Sequence, residues 1–161
     1  MDPLLPAIEI ETTAAPRFSV IWMHGLGADG SDFEPVVPEL GLDHGPGMRF
    51  IFPHAPAIPV TCNGGYVMPA WYDIISLDSS SRTVDEAGIV RSRQAIRDLM
   101  ARENQRGVPY SRIFLAGFSQ GGAIAYTTAL THAEPLAGVI ALSTYIPSPK
   151  LIADEAAAVN Q

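Results

Sequence analysis

The run Ile113-Phe114-Leu115-Ala116-Gly117-Phe118-Ser119-Gln120-Gly121-Gly122 constrains the fold of this chain more than any other stretch. It begins as an apolar segment able to form a buried strand and passes, with no intervening loop, into small residues able to open a helix. The backbone must therefore reverse within a residue or two, and Ser119 sits at the bend. A strand that feeds directly into a helix is the repeating unit of α/β architecture.

The rest of the chain carries the same alternation. Near-continuous apolar stretches at Phe18–Met23, Met48–Phe52, Arg112–Ala116 and Gly138–Leu142 predict strands buried on both faces, hence a mostly parallel sheet. Ile8–Thr13 alternates and predicts a half-exposed outer strand. Between them, Asp32–Leu42 predicts a short helix capped by Ser31 or Asp32. Thr83 and Glu86 form a capping box for a helix running to about Gln105. A third helix is expected from Gln120 to about His132, close to the sheet because it opens with Gly121, Gly122 and Ala123.

Pro53 to Ser81 reads as a long irregular loop, packed rather than disordered because it holds Tyr66, Trp71 and Tyr72. After Gly138–Leu142 only a short polar tail follows, with no further strand pattern. That strand would then lie at the edge with an unpaired ladder, a situation natural sheets tend to avoid. The expectation is a single α/β domain over 1–161 that is incomplete at its C-terminal end. It would pair there with its own missing segment or with a second copy.

At 161 residues and 47% apolar, the chain suffices for one domain with a real core. Its formal net charge of −7 excludes a basic surface for nucleic acid. The arginines between Arg82 and Arg102 are interleaved with acids and read as a solvated helix face. Cys62 stands alone, so no disulfide forms within the chain. With no leader pattern and no apolar run long enough to span a bilayer, a soluble cytoplasmic protein is expected.

Gly117-Phe118-Ser119-Gln120-Gly121 has the G-x-S-x-G spacing of a nucleophile elbow, in which glycines clear space around a strained serine. The strand before it and the helix after it make Ser119 a candidate nucleophile for acyl transfer. Such a site needs amide donors for an oxyanion. Gln120 N–H, at the helix start, is one candidate. Leu26 N–H, in the loop His24-Gly25-Leu26-Gly27, is the other. That loop lacks the spacing of a nucleotide-binding motif.

A base is harder to find. His132 would lie about 18 Å along its helix. His24 reads mainly as a hydrogen-bonder shaping the oxyanion loop, His54 as loop architecture and His44 as solvent-facing. Asp73 reads as a loop anchor, and Asp154 lies in the tail. No spacing resembles a metal site.

His24-Gly25-Leu26-Gly27-Ala28-Asp29, Pro53-His54-Ala55-Pro56, Asn63-Gly64-Gly65, Pro69-Ala70-Trp71-Tyr72-Asp73-Ile74 and Gly117–Gly122 form an ordered set of blocks. Together they resemble the α/β-hydrolase fold, within it the phospholipase/carboxylesterase family that includes acyl-protein thioesterases, and most of all its bacterial carboxylesterases. The resemblance implies Ser119 as nucleophile, oxyanion donors at Leu26 and Gln120, and an acyl pocket near Leu26, Met68, Trp71 and Phe118. It also implies a small-molecule acyl ester or thioester substrate of short to medium length, and no cofactor. Family members continue with two further strands, which carry the triad aspartate and histidine. Both are therefore expected beyond Gln161, and this chain alone is expected to be inactive or weakly active. The alternative is a non-catalytic binding or interface protein with the same fold.

Overall fold

The structure is a computed structural model and describes residues 2–76 and 83–161. The strands are β1 (Ala7–Glu11), β2 (Phe18–Met23), β3 (Met48–Pro53), β4 (Ala57–Val60), β5 (Tyr66–Pro69), β6 (Ile113–Phe118) and β7 (Gly138–Leu142). The α-helices are α1 (Glu86–Gln105), α2 (Gln120–Leu130) and α3 (Pro149–Glu155). The main sheet runs in the order β1-β3-β2-β6-β7. Only β1 is antiparallel to its neighbour. This is the mainly parallel, helix-covered sheet that the apolar runs imply.

The alternation of side chains explains those runs. Val20 and Trp22 of β2 face one cluster with Phe50, Phe52, Ala116 and Val37, while Ile21 and Met23 face the other. The second cluster receives Ile89, Ile96, Leu99 and Met100 from α1, together with Ala123 and Ile124 from α2. Successive residues are thus buried on opposite faces, so β2 and β3 are apolar apart from Ser19 and Arg49 near their amino ends.

Several local expectations are corrected. Glu34–Leu40 is a 3-10 helix rather than an α-helix and has no side-chain cap. Pro35 and Pro38 lack the N–H groups that an α-helical ladder would use. Asp29, not Ser31 or Asp32, accepts at the preceding turn, from Ser31 N–H at 2.8 Å. The cap of α1 is Asp85, which accepts from Gly88 N–H at 3.0 Å, and not Thr83. Within the irregular segment, β4 and β5 pair as an antiparallel hairpin. Its continuation to Ser81 lies outside the described residues. The tail holds α3, capped by Ser148.

The arginine face of α1 is not wholly solvated either, although Arg82 lies outside the described residues. Arg93 is buried and pairs with Glu155, and the Arg97 guanidinium donates to the Thr131 carbonyl at 2.9 Å. Both charges thus tie α1 to the end of α2 and to α3. At the other end of α1, fully buried Glu103 accepts from Ser19 Oγ at 2.8 Å, from Arg49 Nη1 at 3.0 Å and from Arg106 Nη1 at 3.1 Å. This network fixes the helix beneath the amino ends of β2 and β3.

From β2 the chain passes to β3 on one side, and β6 later joins on the other. The carboxyl ends of β2 and β6 therefore flank a topological switch point, where open α/β sheets bind ligands. His24-Gly25-Leu26 and Ser119 both emerge there.

Candidate active site

Ser119 lies between β6 and α2 with φ 52° and ψ −117°, a conformation that L-residues rarely adopt and that costs about 1–3 kcal/mol. The contacts around it hold it there. Its N–H donates to the Leu142 carbonyl at 3.0 Å, and its carbonyl accepts from Ala123 N–H at 3.1 Å and from Thr144 Oγ1 at 2.6 Å. The flanking glycines allow the close packing this requires. A Cβ on Gly121 would lie 2.2 Å from the Met23 carbonyl oxygen, and one on Gly117 would lie 2.4 Å from the Gly121 carbonyl carbon. Helix α2 therefore meets the sheet backbone to backbone, and the serine projects from the turn.

Across the switch point lies the loop after β2. Gly27 N–H donates to the Pro69 carbonyl at 2.8 Å and Ala28 N–H to the Gly25 carbonyl at 3.2 Å. Among the described residues Leu26 N–H has no acceptor. Gln120 is the first residue of α2, whose opening N–H groups have no partner within the helix. A cleft of about 630 Å³ opens between these elements, lined by Leu26, Tyr72, Ser119, Gln120, Tyr145 and Ile146.

The structure brings Leu26, Ser119 and Gln120 to this cleft, but not Met68, Trp71 or Phe118. Trp71 is only 1% exposed. Its indole N–H donates to the His24 carbonyl at 2.8 Å, and Ser92 Oγ donates to its carbonyl. It braces the site from behind instead of walling it. Met68 lies on the hairpin beside Asn63, and Phe118 packs on Phe33 with ring centroids 5.7 Å apart. In a strand the residue before the nucleophile faces the opposite side of the sheet, which turns Phe118 away.

His24 is buried, and both its ring nitrogens are engaged. Nε2 accepts from Ala55 N–H at 3.0 Å, so Nδ1 carries the proton and donates to the Gly25 carbonyl at 2.7 Å. Burial holds its pKa below the ordinary 6.5, only partly offset by the Gly25 hydrogen bond and Asp29. It acts as a hydrogen-bonded strut for the loop. His54 Nδ1 accepts from Gly30 N–H at 3.0 Å, and the His132 ring packs on Tyr110. Asp73 anchors the hairpin by accepting from Thr61 N–H at 2.8 Å. Among the described residues no side chain hydrogen-bonds Ser119 Oγ, and no acid, histidine and cysteine cluster suits a metal ion.

Two features escaped the sequence reading. The Gln120 side chain, itself buried, accepts from Trp71 N–H at 2.8 Å and donates to the Tyr72 carbonyl at 2.7 Å. It clips the loop that ends the hairpin segment to the elbow. The hydroxyls of Tyr72 and Tyr145 share a hydrogen bond, and burial pushes the Tyr72 phenol pKa far up, so it stays protonated. A long amide placed immediately after the elbow serine, and the polar run Ser143-Thr144-Tyr145 at the carboxyl end of a core strand, were the available signals.

Known proteins resemble this chain in sequence and in fold. A family model described as Phospholipase/Carboxylesterase matches residues 6–161. An acyl-protein thioesterase 1 of Cryptococcus neoformans is 42% identical over 149 residues, covering 91% of this chain and 62% of the relative. An acyl-protein thioesterase 1 of Neurospora crassa is also 42% identical over 149 residues, covering 88% and 60%. The chain thus spans less than two thirds of the length of these relatives. The crystal structure of Arabidopsis thaliana SOBER1 superposes with a TM-score of 0.81 at 29% identity, covering 89% of this chain and 69% of that one.

Proposed function

This chain belongs to the phospholipase/carboxylesterase family, and on that premise we propose that the complete protein is a serine carboxylic ester hydrolase acting on short-to-medium acyl esters or thioesters. Family membership by itself supports hydrolase or esterase chemistry. The finer reading is carried by one observation: Ser119 is held at φ 52° on a cleft that also receives Leu26 and Gln120. Ile146 and Leu26 offer an apolar surface for the acyl chain. The thioesterase names of the 42% identical relatives favour including thioesters.

In this reading Ser119 Oγ attacks the acyl carbonyl carbon while its proton passes to a base. The carbonyl oxygen becomes an oxyanion between Leu26 N–H and Gln120 N–H, each donor contributing about 3 kcal/mol in the transition state. Collapse breaks the C–O or C–S bond, and the leaving alkoxide or thiolate takes up the proton. Water then attacks the acyl-enzyme by the same sequence, releasing the carboxylic acid and restoring Ser119. The base in this reading is a triad histidine oriented by an aspartate, the two groups that the family resemblance implies and that no described residue supplies at Ser119 Oγ. Without them, oxyanion stabilisation alone leaves roughly 10³–10⁴-fold acceleration over water.

The test compares full-length protein, its S119A variant and the 161-residue chain on acyl esters and thioesters of graded length. The expected result is fast turnover by the full-length protein and only feeble, residual turnover by S119A and by the short chain. Fast hydrolysis that survives S119A contradicts the reading. A verified full-length protein inert toward all of them favours a binding role instead.

A further inference from the structure

We propose that Thr144 is a positioning residue that aims the Gln120 amide at the oxyanion through the opposite end of the same peptide group. The inference rests on the reading of Ser119 as nucleophile. Thr144 Oγ1 donates to the Ser119 carbonyl oxygen at 2.6 Å, and Ala123 N–H donates to that oxygen at 3.1 Å. This oxygen and the Gln120 N–H belong to one planar, trans peptide unit. Fixing where the oxygen lies therefore fixes where the N–H points, on the opposite side of the bond.

The plane needs fixing. Ser119 sits at φ 52° and ψ −117°, outside the broad wells that would hold the following peptide by local preference alone. Strained conformations persist only where the surroundings over-determine them. The helix supplies one hydrogen bond to the carbonyl, as any first turn would, and Thr144 supplies a second from outside the helix. An amide whose oxygen accepts two hydrogen bonds is also polarised, which strengthens its N–H as a donor.

The fold brings Thr144 into reach by a second unusual conformation. Ser143, directly after β7, has φ 45°, which turns the chain back over the elbow. The Thr144 side chain then fills the space beside Gly122, where an added Cβ would lie 2.6 Å from it. The last residue of β7, Leu142, accepts the Ser119 N–H at 3.0 Å. One segment, 142–144, thus grips Ser119 on both sides of its Cα.

The experiment uses full-length protein and an acyl ester that it turns over. Thr144→Val keeps the side-chain shape and removes the hydroxyl, Thr144→Ala removes it with less demand on packing, and Thr144→Ser keeps it. Thr144→Val and Thr144→Ala should lower kcat roughly tenfold, less than the ~10²–10³-fold loss seen when a whole oxyanion donor is removed. KM should stay within about twofold, the signature of an interaction made in the transition state. Thr144→Ser should retain kcat within about threefold, and urea midpoints should vary independently of kcat. Unchanged kcat in the hydroxyl-free variants overturns the proposal, as does a rise in KM alone or an equal loss in Thr144→Ser. Fast turnover that survives S119A overturns both this proposal and the nucleophile reading. S119A-sensitive turnover indifferent to the Thr144 hydroxyl overturns only this one.

Discussion

The two ends of the sheet differ in what they leave unsatisfied. At the amino ends of β2 and β3, the Glu103 carboxylate is fully buried and accepts from Ser19, Arg49 and Arg106. Around it Arg49 pairs with Glu11, and Arg102 and Arg106 with Glu9, whose carboxyl the Arg106 hydrogen bond holds below its ordinary pKa. At the carboxyl ends, Ser119 is strained, its hydroxyl has no partner among the described residues, and Leu26 N–H has no acceptor there. Apart from Arg102 Nε, which has no partner among the described residues, one end closes its polar groups on one another, and the other holds Leu26 N–H and the Ser119 hydroxyl open. Closed and open polar groups thus lie at opposite ends of the same strands.

The largest effect expected from breaking this division is at the closed end. Glu103→Ala should cost about 3–5 kcal/mol, since it leaves the Arg49 guanidinium buried without its main counter-charge. Urea denaturation measures the loss. Activity per folded molecule should be unchanged, because nothing in this network touches the cleft. A selective loss of kcat at normal stability would erase the comparison.

A smaller effect is expected where the open end is braced. Gln120→Ala removes the clip to Trp71 and Tyr72 and leaves a buried N–H and a buried carbonyl to find new partners. With one of the two regaining a partner, the net cost should be about 1–3 kcal/mol. Because the Gln120 backbone amide is retained, the cleft wall should loosen and KM should rise more than kcat falls. Parallel denaturation and steady-state kinetics distinguish this from a purely structural loss.

The smallest effect is a pH slope from His24. Its folded-state pKa is lowered by burial, so the unfolded chain binds the proton more readily. Its contribution to stability is fully present above the unfolded value near 6.5 and is lost as pH falls below it toward the lowered folded value. Replacing His24 with Asn should flatten the part of the stability profile that falls as pH drops below about 6.5. An identical slope in H24N would remove His24 from the account.

How much of this was legible depended on what enforced it. Strand β2 has the bounds the sequence suggested, because burial on both faces writes a near-continuous apolar run; β7 has them too, although it lies at the sheet edge with Ile140 exposed. The elbow was legible because its glycines answer to a steric need set within a few residues. The hairpin of β4 and β5 was not. Pro59 and Pro69 argue against strands, yet a two-stranded ribbon leaves N–H positions free for them, and Tyr66 and Val67 stay exposed, so no alternation marks it. Trp71 stood as a pocket candidate because the family resemblance implies an acyl pocket near it. Its indole N–H instead satisfies the His24 carbonyl, a contact between residues far apart in sequence that no local pattern records. The Thr144 bond to the elbow is of the same kind.

The central claim is that the open end presents an activated serine. The most direct test is labelling of the full-length protein with a fluorophosphonate probe, with the modified residue mapped by peptide mass spectrometry. Stoichiometric modification at Ser119, absent in S119A and slowed by a competing acyl ester, is the predicted result. A protein that hydrolyses esters while Ser119 stays unmodified, or that is labelled at another residue, would contradict it.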